Sequence, residues 1–238
     1  MHPRSFRTSI EGDVTTAKAR RGRKDSRSEF VSAVLLAAGL SSRFGRPKQL
    51  AELEGEALVR RAVWTLERSP VNEVIVVVGH RAADVVGAFG RTRAKIVYNE
   101  RYKLGPGSSL KAGLSALSGE SRALLVCLAD QPFVTPRLIG TIVSRHVKTG
   151  ADVVASFSDG HVSPPVIFSW RLYGEIANIP DGTGAKAIIE NHPGFEKVGV
   201  KRGTLLDVDT EEDLEKARKT LSHDSVRKVT KAREAGAV

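Results

Sequence analysis

Across residues 30–217, short runs rich in Val, Ile and Leu alternate with stretches whose apolar residues recur at helical spacing. A run of four to seven apolar residues without polar alternation has both faces buried, and the layout that buries both faces is a mainly parallel sheet covered by helices above and below. Strands are predicted over 32–38, 74–79, 94–98, 123–128 and 152–158, with weaker strands over 165–168 and 205–208. Helices are predicted over 57–68, 82–89, 108–117, 136–148, 171–177, 185–191 and 211–221. Thr135 before Pro136, and Thr210 before Glu211 and Glu212, supply side-chain oxygens suited to the free N–H groups of a first turn. The pattern is α/β, a single three-layer α/β/α domain over 30–221. Right-handed crossovers then set the loops that follow the strands along one rim, where open α/β sheets bind ligands.

The formal net charge of +10 suggests a polyanion partner until it is divided by segment. Residues 1–29 hold eight Lys or Arg against four acids and residues 218–238 hold six against two, which leaves a net +2 for 30–217. The basicity belongs to the ends, read as a disordered basic N-terminal extension (1–29) and a basic C-terminal tail (222–238). With only 5% aromatic residues and a near-neutral middle, no specific nucleic-acid partner is expected, because single-strand binders need stacking platforms as well as cations. One cysteine, Cys127, excludes a disulfide framework and a Cys-cluster zinc site. No run of eighteen apolar residues and no secretory signal is present, so the expected setting is cytoplasmic, with no membrane partner. Cys127, inside an apolar run, reads as a core residue, and Trp64 and Trp170, in helical patterns, read as packing residues; His80, His161 and His192 lack zinc-site spacing.

The first strand runs into Ala37-Ala38-Gly39-Leu40-Ser41-Ser42-Arg43-Phe44-Gly45-Arg46-Pro47-Lys48-Gln49, small residues followed by three cations within six positions. Gly39 and Gly45 permit close backbone approach, loop N–H groups can form an anion nest, and Arg43 and Lys48 can neutralise phosphate charge. The spacing is neither a dinucleotide fingerprint nor a P-loop, since Gly45 leads into Arg-Pro-Lys where a P-loop needs Lys then Ser or Thr. Asp130 follows the apolar run 123–128 and falls at the rim. A carboxylate beside a polyphosphate needs a divalent cation between them, a task that suits Mg²⁺. Asp207 and Asp209 are two apart after the weak strand, so if that strand persists their side chains share a face. Asp213 reads as a capping or surface residue of the following helix.

The stretch from Leu36 to Leu50 resembles the signature loop of the molybdenum cofactor guanylyl- and cytidylyltransferases. Asn99 with Gly105-Pro106-Gly107-Ser108-Ser109-Leu110, Leu128-Ala129-Asp130-Gln131-Pro132-Phe133, and Leu206-Asp207-Val208-Asp209-Thr210-Glu211-Glu212-Asp213-Leu214 are similar to that family's later motifs. The resemblance covers 32–217 and implies a Rossmann-like sheet of the nucleotide-diphospho-sugar transferase type. Leu-Ala-Ala-Gly and Asp-Gln-Pro resemble the cytidylyl branch, which implies transfer of CMP from CTP to a molybdopterin-type cofactor with Mg²⁺ and release of pyrophosphate. A molybdoenzyme or its chaperone is the implied protein partner. Pro47-Lys48-Gln49 is also similar to the cytidylyltransferases of isoprenoid precursor synthesis, so a sugar- or polyol-phosphate acceptor stays open. The chain departs from the molybdenum cofactor branch at Val162-Ser163-Pro164-Pro165 and at Pro180-Asp181-Gly182-Thr183-Gly184-Ala185-Lys186, segments that would meet the acceptor.

The resemblance assigns catalytic roles to Arg43, Lys48 and Asp130. It assigns nucleotide binding to Leu36, Ala37, Ala38, Gly39, Ser41, Ser42, Arg43, Lys48, Gly79, Asn99, Gly107, Ser108, Ser109 and Asp130. Gly107, Ser108 and Ser109 would read the edge of a pyrimidine, with Ala37 and Ala38 in close backbone contact. Metal ligation falls to Asp130 with Asp209, or with Asp207 in its place. Readings of other classes are a non-catalytic cofactor carrier and a nucleic-acid binder acting through its basic ends.

Overall fold

The run predicted at 32–38 lies at the centre of a seven-stranded sheet. In a computed structural model, which describes residues 29–222 except Pro193, the strands are β1 (Val31–Ala37), β2 (Glu52–Leu53), β3 (Glu56–Ala57), β4 (Glu73–Val78), β5 (Lys95–Tyr98), β6 (Ala123–Leu128), β7 (Val153–Ser158), β8 (His161–Ser169) and β9 (Glu196–Gly199). Of the basic ends expected over 1–29 and 222–238, all but Glu29 and Ser222 lie outside the described residues. The large sheet has the order β5-β4-β1-β6-β8-β7-β9, and β2 and β3 form a separate small hairpin. Parallel pairing joins β1 to β4 and β6, β4 to β5, and β7 to β9, while β8 runs antiparallel to both β6 and β7. The sheet is thus mixed and mostly parallel.

The reversal at β8 has a local cause. Only Asp159 and Gly160 separate β7 from β8, and both have positive φ (49° and 83°), the backbone of a two-residue hairpin turn. Two residues cannot make the crossover that parallel neighbours need. The weak strand expected at 165–168 extends to His161–Ser169, and its pairing with β7 shifts register between Ala155 and Ser156, opposite Pro164 and Pro165. Neither proline owes the ladder an N–H there. The strand expected at 205–208 does not form; the chain turns at Gly203 (φ 82°) and continues irregularly, and the β7 edge is covered instead by β9.

Helices α1 (Leu58–Glu67), α2 (Ala82–Phe89) and α4 (Pro136–Thr149) cover one face through Val59, Val63, Leu66, Val85, Phe89, Ile139 and Ile142. Helices α3 (Pro106–Ser115), α5 (Tyr173–Asn178) and α6 (Ala185–Asn191) cover the other through Leu110, Ile176, Ile188 and Ile189. Thr135 caps α4 by accepting the Leu138 N–H at 3.2 Å. A last described helix over 211–222 opens with a reciprocal cap: Asp213 N–H donates to Thr210 Oγ1 at 3.2 Å and Thr210 N–H to Asp213 Oδ2 at 3.1 Å. This helix packs Leu214 and Ala217 on Leu53, Leu58 and Phe44, and so backs the loop after β1. Cys127 is buried in the core as expected. Trp64 and Trp170, expected to pack, are 47% and 49% exposed, and the guanidinium of Arg68 lies over the Trp64 ring at 3.8 Å. Among the described residues no helix is long and apolar enough to cross a membrane.

Candidate active site

β1 is the strand from which the sheet order departs in both directions, towards β4 on one side and β6 on the other. A crevice opens outside the carboxyl ends of such strands. Here it is a cavity of about 290 Å³, lined by Leu36, Ala38, Gly39, Leu40, Lys48 and Gln49 from β1 and its loop. Tyr102, Lys103, Gly105, Pro106 and Ser109 line it from the approach to α3, and Leu128, Ala129 and Asp130 from the end of β6.

The loop after β1 is tied to itself. Ser41 takes a left-handed conformation (φ 56°), its carbonyl accepts the Phe44 N–H at 3.0 Å, and its hydroxyl accepts the Lys48 N–H at 3.0 Å. Gln49, 2% exposed, accepts the Ser41 hydroxyl at 3.2 Å and donates from Nε2 to the Gly39 carbonyl at 3.1 Å. Gln49 is a loop-setting residue to which sequence reasoning gave no role, although the Pro47-Lys48-Gln49 triplet marked its place. Ser42 is exposed on the outside of the loop.

Lys48 Nζ sits between two carboxylates, ion-paired with Asp130 Oδ2 and with Asp209 Oδ1 at 2.6 Å. Arg43 reaches Asp209 Oδ2 at 2.6 Å from a largely solvated position. Burial works against the Lys48 charge, but the charges and hydrogen bonds of Asp130 and Asp209 outweigh it and hold the ammonium above its ordinary range. Burial likewise pushes Asp209 up, and Lys48 and Arg43 bring it below the usual carboxylate range. The second oxygen of Asp130, Oδ1, is buried with no hydrogen-bond partner. A buried carboxylate oxygen left bare beside a cavity is an acceptor waiting for a cation or a donor.

The acidic pair arrives by a different route from the one expected. No strand carries Asp207 and Asp209; instead Val208 N–H donates to the Asp130 carbonyl at 2.9 Å, pins the irregular segment to the rim, and lets the two side chains diverge. Asp209 turns to Lys48, whereas Asp207 accepts Gln131 Nε2 at 2.9 Å, and Gln131 also donates to Ser163 Oγ at 3.0 Å. Although Asp207 as a residue reaches solvent, desolvation of its carboxyl at this crowded rim and the charges of Asp130 and Asp209 push it up to about 6, against the Gln131 hydrogen bond. Among the described residues no three His, Cys, Asp or Glu side chains converge in a metal-holding geometry.

Several residues expected to touch a nucleotide do not line this cavity. Ala37 alternates to the opposite face of β1 and is buried in the core, so of the two alanines only Ala38 lines the cavity. Gly79 lies behind it: a Cβ there would stand 2.6 Å from Tyr102 Cβ, so the position serves packing. Asn99 is buried and donates from Nδ2 to Ser108 Oγ at 2.9 Å and Ser109 Oγ at 3.0 Å. The Ser108 hydroxyl is directed at the carbonyls of Arg101 and Gly105, at 2.9 and 2.8 Å. The amides of Gly107 and Ser108 both donate to the Asp181 carbonyl, at 2.9 and 3.3 Å. Of the three residues expected to read a base edge, only Ser109 lines the cavity, and Gly107 and Ser108 lie behind it.

Residues 33–197 match the model of the MobA-like NTP transferase domain. The chain is 31% identical over 174 residues to nicotine blue oxidoreductase of Paenarthrobacter nicotinovorans, an alignment that covers 68% of this chain and 83% of that one. Among solved structures it resembles an Rv0371c homologue from Mycobacterium sp. strain JC1, with 28% identity, a TM-score of 0.74, and coverage of 81% of this chain and 97% of the other. It shares its fold with Rv0371c of Mycobacterium tuberculosis in complex with manganese, at 24% identity and a TM-score of 0.68, over 80% of this chain and 98% of the other.

Proposed function

Because the chain belongs to the MobA-like NTP transferase family, we propose that it transfers the CMP group of CTP to the phosphate of a molybdopterin-type acceptor and releases pyrophosphate. The observation that carries this reading is Lys48 clasped between Asp130 and Asp209 at the mouth of the glycine loop. Two cations, Lys48 and Arg43, and the two carboxylates they neutralise are the charges that a triphosphate and its counter-ion would take apart.

Mg²⁺ fits the donor set, for it takes one or two carboxylates and completes its shell with water and phosphate oxygens, and Asp130 presents a bare buried oxygen with Asp209 beside it. When bound, Mg²⁺ would supply neutralisation of phosphate charge. Lys48 would turn its ammonium from the carboxylates to the triphosphate, and Arg43, largely solvated, would leave Asp209 and add its planar fork. The amides of the loop held by Gln49 would line the anion. An acceptor phosphate oxygen attacking the α-phosphorus and displacing pyrophosphate needs alignment and charge stabilisation and no protein nucleophile. Cys127 is unsuited to that part in any case, since burial pushes its thiol far up. We further propose that residues 30–221 form the whole catalytic unit, with the basic ends outside it.

The test is pyrophosphate release from each nucleoside triphosphate in turn, with and without Mg²⁺, against a panel of acceptor phosphates including molybdopterin. CTP should be preferred over GTP and ATP by about 10² or more, as expected where buried polar groups go unpaired with the wrong base. Preference for GTP overturns the cytidylyl reading, and turnover only with a sugar or polyol phosphate overturns the acceptor. Reduction of a substrate without pyrophosphate release would align the chain with the oxidoreductase name of its relative and overturn the transferase reading.

A further inference from the structure

Residues 105–109 form the side of the cavity that closes on α3, and the loop over 180–183, remote in sequence, is fitted to their back. A Cβ on Gly107 would lie 2.4 Å from the carbonyl oxygens of both Pro180 and Thr183, and one on Gly105 would lie 2.8 Å from the carbonyl of Asp181. The two backbones meet with no side chain between them. One carbonyl, that of Asp181, accepts the Gly107 and Ser108 amides, which belong to the first turn of α3 and have no partner within the helix. The 180–183 loop is itself closed, since Thr183 returns both its N–H (3.0 Å) and its hydroxyl (2.7 Å) to the Pro180 carbonyl.

The Asp181 side chain secures this fit from both sides. Its Oδ2 pairs with Arg101 at 2.5 Å, ahead of the cavity residues, and its Oδ1 pairs with Lys111, one turn beyond them. Lys111 also donates to the Ile179 carbonyl at 3.0 Å. The Lys111 hydrogen bond, with the Arg101 and Lys111 charges, outweighs desolvation and holds the Asp181 carboxyl below its ordinary range, so it is ionised at neutral pH.

We propose that Asp181 is a positioning residue, which latches the 180–183 loop onto α3 and so holds residues 105–109 in the shape that receives the nucleobase. The inference rests on the reading of the cavity as a nucleotide site. Asp181 touches neither the cavity nor the Lys48 cluster, so its loss should cost binding geometry and leave the transfer step intact.

In the full chain, Asp181→Asn preserves size and removes the charge. Two partly exposed ion pairs are worth little each, yet a wall latched for only part of the time lowers apparent affinity by that fraction. The KM for the triphosphate should rise roughly three- to tenfold with kcat within about twofold, and exchange of the Gly107 and Ser108 amides should quicken. Asp181→Glu should recover part of the KM. Lys111→Met should mimic the effect, and its combination with Asp181→Asn should be less than additive. An unchanged KM in Asp181→Asn, a fall in kcat at constant KM, or unchanged amide exchange each overturns the latch while wild-type turnover stands. A wild-type chain that neither binds nor turns over any triphosphate overturns the nucleotide reading, and the latch as its positioning device falls with it.

Discussion

Asp130→Asn separates charge from shape at the point where the proposed chemistry is concentrated. The Asp130 side chain is 14% exposed, pairs with Lys48, and keeps Oδ1 buried without a partner. Stranding a buried charge costs about 3–5 kcal/mol, but the variant does not strand Lys48, which retains Asp209 at 2.6 Å. Removing one of the charges that crowd Asp207 offsets part of what is lost. The net change in stability should be about 1 kcal/mol or less, which is about 2–4 °C in Tm for a domain of this size. Turnover should behave quite differently. Losing one preorganised electrostatic contact costs about 10²- to 10³-fold in rate, close to 3–4 kcal/mol, and Asn cannot replace the charge a divalent cation needs. Pyrophosphate release at saturating CTP and Mg²⁺ measures the first quantity and scanning calorimetry the second. Carbon-detected titration of Asp207, which sits at about 6 in the wild type, adds a third: with Asp130 neutral it should move down towards 3.8. Turnover within a few-fold of wild type at saturating Mg²⁺ refutes the role given to Asp130, and an unmoved Asp207 titration refutes the charge coupling.

Asp207→Asn keeps an oxygen for Gln131 and removes a carboxyl whose folded value is raised from 3.8 to about 6, so the folded wild type binds its proton more tightly than the unfolded chain does. That contribution is fully present below pH 4 and is lost as pH rises through about 6; the variant should therefore gain Tm at pH 7 with the gain fading towards pH 4, and a gain independent of pH counts against the assignment. Gly113→Ala places a Cβ 2.5 Å from Val34 Cγ1 and 3.2 Å from Val77 Cγ2, where α3 lies flush on the sheet. Overpacking of this kind costs about 1–3 kcal/mol, so Tm should drop by several degrees, and an unchanged Tm refutes the close fit of α3 on β1.

Local patterns settled the class of fold. The runs at 32–38, 74–79 and 123–128 have no polar alternation, so they had to be buried on both faces, and Thr135 and Thr210 announced their helices because a hydroxyl before a first turn satisfies amides within three residues of itself. The glycine loop, Lys48 and Asp130 were legible for the same reason: residue type and position after a strand fix which rim they occupy. What depends on distant segments was not legible. The antiparallel β8 followed from the two-residue turn at Asp159-Gly160, and β9 displaced the strand expected at 205–208 through pairing with β7, some 40 residues earlier in the chain. Lys48 reads in the sequence as a phosphate cation, yet in the fold it joins Asp130 and Asp209, 82 and 161 residues away. Ala37 and Ala38 are adjacent and chemically identical, and only the pleat of β1 sends one to the core and the other to the cavity. Side-chain periodicity is a property of neighbours and survives in one dimension. Which charge meets which, and whether an amide faces a ligand or the Asp181 carbonyl, is decided only when the sheet brings remote loops to a common edge.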